Sequence, residues 1–365
     1  MLVVKMQTKD LDLLNGPILK KLFIYVLPLM FTNLLQVLYN TADMIVVDDV
    51  GEGTVMVNVA DFADDSTITS VELGDLMVGG TLHSISSGKT EVDGYVNVKD
   101  SVDIGTCNGD LDISQDGVVA AFGAGGAVSL TAGIGANASG DVVVDGCLQQ
   151  TAVGGMVLVK SSAGVQSKGD IRLNGEIRAD AKVQLVASSG KNSRGNVEVN
   201  GLIDVVGVSS SAEIVSGYGQ GAKGNVTVNE QIQTRGENGS VGIAAGYGDG
   251  ASGDVAINAT VIARKSVNLS VYDGKANVNK NGILAATDDG GSVVVKSGLV
   301  QNGKGDLTVD GSVQAQGNGG KVILDSGHAK GVKGSVTINK GAEVYSDQKG
   351  GTIEIIAGLR TGASG

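Results

Sequence analysis

From residue 140 onward, apolar and polar positions alternate over short runs that recur along the chain. Eight segments begin at Gly140, Gly169, Gly195, Gly224, Gly253, Ala276, Gly305 and Gly334, with steps of 29, 26, 29, 29, 23, 29 and 29 residues. Two places after each start stand Val142, Ile171, Val197, Val226, Val255, Val278, Leu307 and Val336. Two further on stand Val144, Leu173, Val199, Val228, Ile257, Lys280, Val309 and Ile338, apolar except for one lysine. The positions between them vary and are mostly polar. Alternation with a period of two predicts a β-strand with one buried face.

The next position is Asp145, Asn174, Asn200, Asn229, Asn258, Asn281, Asp310 and Asn339, with Gly following in five of the eight. Asn, Asp and Gly tolerate left-handed backbone and turn the chain. A second short strand follows, its apolar position filled by Leu148, Ile177, Ile203, Ile232, Val261, Leu284, Val313 and Ala342. A third strand closes each repeat, as in "GSVGIAAG" from Gly239, "GSVVVKSG" from Gly291 and "GKVILDSG" from Gly320. Three short strands cannot enclose a core alone, but stacked copies bury a continuous one. The expected fold is all-β: a right-handed parallel β-helix with about 29 residues per coil, its Asn and Asp column forming a hydrogen-bonded ladder along the axis. Lys280 and the 23-residue step predict a local distortion between Gly253 and Gly305. Residues 48–139 read as looser coils. There "GDLMVGG" from Gly74 and "GDLDISQDG" from Gly109 carry the first-strand pattern, and the gaps of 35 and 31 residues predict longer loops. The regular repeats, 140–365, stop with no polar cap and read as truncated.

Composition narrows the class. Glycine is 58 of 365 residues, aromatics are 3% and hydrophobic residues 42%. That is too apolar for disorder, and glycine does not recur every third residue as collagen requires. The net charge of −12 argues against a nucleic-acid partner, which would select clustered Lys and Arg. Cys107 and Cys147 have neither metal nor redox spacing and are expected as free thiols.

The opening belongs to another kind of protein. From Leu22 to Leu38 only Thr32, Asn33 and Gln36 interrupt an apolar run, and "MIVV" at 44–47 extends it. One N-terminal transmembrane-type helix is expected around 17–46, acting as anchor or export signal. Lys20 and Lys21 at its start would hold the N-terminus in the cytoplasm and the repeats outside the inner membrane, in the periplasm or at the cell surface.

Both parts resemble known families. The motif "G-[DN]-V-x-V-[ND]-G-x-[IV]" with a later "G-x-V-x-[LIV]-x-[AS]-G" resembles the β-helical repeats of filamentous-haemagglutinin-like adhesins over about 48–365. Those are large secreted bacterial surface proteins, and the secretion domain they normally carry is missing here. Residues 13–47 resemble the first transmembrane helix of multidrug and toxic compound extrusion (MATE) family transporters, through Pro17–Lys20, Leu27–Leu29, Leu34–Gln36, Leu38–Asn40 and Asp43–Val46. That resemblance implies a cation-coupling role for Asp43. The family's other helices are missing, and one helix cannot build an alternating-access site. The chain therefore reads as a fragment or a chimeric gene product.

Candidate chemistry is sparse. His83 and His328 read as solvated loop residues, and the Gly-x-Gly runs precede strands, so they are not phosphate loops. No catalytic, cofactor or metal residue is expected. An enzyme of β-helical lyase or hydrolase type would need acidic residues gathered with Lys or Arg on neighbouring coils. The acidic clusters at Asp48–Asp49, Asp61 with Asp64–Asp65, and Asp288–Asp289 read as solvated turns. The expected function is non-enzymatic: an adhesin-like structural rod, anchored through 17–46, with a protein or glycan ligand and a capacity for end-to-end or edge self-association. A drug/cation antiporter and a polysaccharide lyase or hydrolase are the alternatives.

Overall fold

The computed structural model describes residues 46–47, 54–58, 70–73, 76–79, 81–86, 88–347 and 349–358. Asp43, Asp48, Asp49, Asp61, Asp64, Asp65 and all but the last residue of the expected helix lie outside these. Val46 itself starts a two-residue strand, Val46–Val47, paired with Leu76–Val78, so strand structure begins earlier than residue 48. Among the described residues no helix is long and apolar enough to cross a membrane. Residues from Val46 on form one compact unit.

That unit is a parallel β-solenoid. Each coil contributes one strand to each of three sheets, which hold 11 first strands, 12 second strands and 12 third strands among the described residues. Every strand pairs in parallel with its copy one coil away, as in Val197↔Val226, Ile203↔Ile232 and Ser211↔Ser240. With strands about 4.8 Å apart, twelve rungs span about 50 Å.

The sequence alternation appears directly as burial. Val197–Val199, Val226–Val228 and Val255–Ile257 each show a buried, half-buried, buried pattern. Their inward side chains join one continuous cluster of Val, Leu, Ile and Ala running from Val78 to Leu324. No ring enters that cluster, because stacked coils leave room for branched aliphatic side chains only in a narrow lumen. At the last described coil, Ile353 and Ile355 continue the inward columns of Val322 and Leu324 but remain 45% and 53% exposed.

Three expectations change. First, Ala276 and Val278 are the inward pair of their coil, facing Val255 and Ile257 on one side and Leu307 and Val309 on the other. Lys280 is an exposed turn residue and breaks no column. The short coil is the 21-residue step from Val255 to Ala276, and the next coil lengthens to compensate. Second, Val344 continues the column from Val313, and Ala342 lies just before that strand. Third, residues 70–113 hold more coils than expected, and these are tighter. Leu76–Val78 is a second strand, the first strands are Ser70–Leu73 and Lys89–Val92, and Thr90 pairs with Leu111.

Most turns between third and first strands carry positive φ at two residues four apart, the first of them usually glycine. Gly217, Gly246, Gly298 and Gly327 supply it at φ of 66 to 69°. Two coils place serine there instead, Ser162 at φ 51° and Ser188 at φ 55°. Both side chains are fully buried. Ser162 Oγ reaches the carbonyls of Gly169 (2.8 Å) and Arg194 (3.0 Å), and Ser188 Oγ those of Gly195 (3.1 Å) and Lys223 (3.0 Å). These bonds compensate the strain of a non-glycine residue in the left-handed region.

Candidate functional site

The start of each first strand carries a tripeptide that stacks into three adjacent columns. Its centre is glycine: Gly169, Gly195, Gly224 and Gly253. A Cβ on any of these would lie 1.9 Å from the carbonyl oxygen of the glycine one coil below, so only glycine lets the coils close here. Serine hydroxyls hold the same carbonyls, Ser161 that of Gly169 at 2.8 Å and Ser216 that of Gly195 at 2.6 Å.

After the glycine comes a column of short acids and amides. Asp141 Oδ1 accepts the Asp170 amide (2.8 Å), Asp170 Oδ1 that of Asn196 (2.8 Å), Asn196 Oδ1 that of Asn225 (2.9 Å), and Asn225 Oδ1 that of Asp254 (2.8 Å). The Asp141 and Asp170 carboxylates also use their second oxygens, both on Arg172, at 2.8 and 2.9 Å. The hydrogen bond to Asp141 holds the Arg172 guanidinium above its ordinary pKa.

Before the glycine stands a column of cations. Lys168 bridges to Arg194 and Arg194 to Lys223 in parallel register, with Ser139 before them and Ser252 after; further along, Lys304 bridges to Lys333. All five basic side chains are exposed. None takes part in an ion pair among the described residues. Between the cations and the acid–amide column, over the glycine floor, runs a groove of about 830 Å³ that follows the coil axis from Asp141 to Lys304. A second hollow on the other flank of the same cations is edged by Gln166 and Asn192.

The sequence-predicted ladder lies on the exterior. Asn174 Nδ2 donates to Asp145 Oδ1 (2.7 Å), Asn200 to Asn174 (2.9 Å), Asn229 to Asn200 (2.7 Å) and Asn258 to Asn229 (2.6 Å). The next rung is Asn279, whose Nδ2 donates to Asn258 Oδ1 at 2.5 Å; Asn281 lies in the following turn and takes no part. The ladder then restarts, with Asn339 donating to Asp310. A carboxylate accepts but cannot donate, so Asp310 can begin a run and cannot extend the one ending at Asn279.

Of the two histidines, expected in loops, His328 lies in one and His83 does not. His83 sits in a strand, Thr81–Ser86, with Nδ1 2.8 Å from Asp103 Oδ2. His328 Nδ1 lies 2.7 Å from Asp325 Oδ2, and Asp325 is only 2% exposed. Asp288 pairs with Arg264, and Asp289 accepts the Asn318 amide, so that acidic turn is tied into neighbouring coils. Cys107 and Cys147 are unpaired and half-buried, and burial pushes the Cys147 thiol above its ordinary value. Tyr218 and Tyr247 stack at 4.8 Å with an interplanar angle of 3°, and Tyr272 meets Tyr247 edge-on at 4.6 Å. Among the described residues no three His, Cys, Asp or Glu side chains converge as a metal site would require.

Comparison of the chain with protein-family models, curated proteins and solved structures finds no match.

Proposed function

We propose that this chain is a non-enzymatic rod whose outer columns serve as a contact surface outside the cell, in the manner of an adhesin. One observation carries the reading: Asp141 and Asp170, which border the groove, each bind with both oxygens, while the cations opposite bind nothing within the described chain. A lyase or hydrolase works through carboxylates free to take or give a proton, which Asp141 and Asp170 are not; further along the groove Asp254 and Asp273 each hold a backbone amide through one oxygen. Repetition favours the same reading, because a column offers the same group several times along one line and a catalytic centre needs different groups at one point. Residues 17–46 supply the membrane anchor, which leaves the repeats on the far side of the inner membrane. Asp43 has no transport role here.

The test is protease shaving of intact bacteria expressing the full chain, with membrane fractionation alongside. The expected result is a membrane-associated protein whose repeats are cleaved without lysis. Repeats protected until lysis, or dye accumulation in an efflux-deficient host that falls in an Asp43-dependent manner, would contradict it.

A further inference from the structure

We infer that the groove binds a linear acidic polysaccharide lying along the coil axis, with successive negative groups met by Lys168, Arg194 and Lys223. This rests on the reading of the rod as a contact surface and names its ligand.

The cation column needs an explanation, since stacking like charges in register is unfavourable. Strand pairing sets the three charges at the coil spacing of about 4.8 Å, where repulsion at the surface is appreciable. Several other cations of this chain do meet an acid on their own or an adjacent coil: Arg172 with Asp141, Lys182 with Glu213, Arg235 with Asp204, and Lys321 with Glu354. In the groove Asp141 and Asp170 share Arg172, Asp254 and Asp273 each accept one backbone amide, and Arg194 stands between two lysines. None of the three column cations forms an ion pair with these acids, so all three remain available to an external polyanion.

Three features point to a glycan. The cations recur once per coil along one line, as a polymer with regularly repeated negative groups requires. The opposite wall offers short amide and carboxylate groups, Asn196, Asn225 and Asp254, suited to the hydroxyls that lie between acidic groups on a sugar chain. The glycine floor brings backbone close to the ligand and keeps bulky side chains out of the path. A single-stranded nucleic acid fits poorly. It requires ring faces for its bases, and Tyr218 and Tyr247 turn theirs toward each other.

The experiment measures binding of the purified full chain to an oligogalacturonate, to its fully methyl-esterified form and to inorganic polyphosphate, over a range of salt. The acid form is expected to bind and the ester not to. The logarithm of the affinity should fall against the logarithm of salt with a slope of about two, as for three neutralised charges on a flexible polyanion. Replacing the column together (Lys168→Gln, Arg194→Gln and Lys223→Gln) should weaken binding by about tenfold or more and flatten that slope. The same charge change away from the groove, at Lys99, Lys160 and Lys280, should leave both unchanged. All six side chains lie outside the core, so thermal unfolding of both variants should match the parent and exclude misfolding. Equal binding of ester and acid, equal loss in the two triple variants, or binding of polyphosphate alone would overturn the inference. Because the assay uses purified protein, its outcome is independent of whether the repeats are displayed on cells.

Discussion

At the scale of single residues, hydrogen-bond capacity decides which side chains form columns. An asparagine both donates and accepts, so each rung from Asn174 to Asn279 passes the bond on, whereas Asp145 and Asp310 can only begin a run. Replacing Asn229 or Asn279 by Ala should each cost about 1 kcal/mol in urea denaturation, and Asn281→Ala only a few tenths. Equal losses at Asn279 and Asn281 would place the rung wrongly. The sequence points first to Asn281, for a physical reason. In "ANVNKNG" a slip of two residues keeps every side chain on its own face, so alternation alone cannot fix the register there. The inter-coil bond to Asn258 fixes it. The same ambiguity sets Ala342 in place of Val344.

At the scale of the coil, the strands were legible because burial follows period two, and the five repeats starting from Gly140 to Gly253 bury their first-strand residues as alternation predicts. The early coils were harder to read. Their third-to-first turns shrink until consecutive strands nearly abut, as between Thr81–Ser86 and Lys89–Val92, and the glycine spacing that marks later repeats is lost. The column's cations were visible in the same alignment, one place before Gly169, Gly195, Gly224, Gly305 and Gly334, but nothing in a sequence shows which acids are already engaged. The glycine column holds the coils at their closest approach. Gly224→Ala puts a Cβ 1.9 Å from the Gly195 carbonyl oxygen and 2.0 Å from Ser216 Oγ. It should cost about 2 kcal/mol or more by crowding, with the melting temperature as readout. Gly242→Ala, in a strand with open space around its Cβ, is the matched control and should be neutral or stabilising. Similar losses at both sites would show that the close approach at Gly224 is not the cause.

At the scale of the whole repeat unit, function follows from stacking: residues 21 to 31 apart in sequence become neighbours in the groove and ladder columns. The groove, the ladder and the proposed ligand all depend on that register. The most direct test is a pair of cysteines at adjacent column positions in a background with Cys107 and Cys147 replaced by Ser. Arg194→Cys with Lys223→Cys places two Cα atoms about 4.8 Å apart, within the range a disulfide spans. Arg194→Cys with Gln220→Cys draws the second cysteine from elsewhere in the turn that precedes Lys223, out of the column. Under mild oxidation the first pair should close quickly and nearly completely within the monomer, and the second should stay largely reduced. Equal closure of the two pairs, or none in the first, would contradict the stacked cation column and the function built on it.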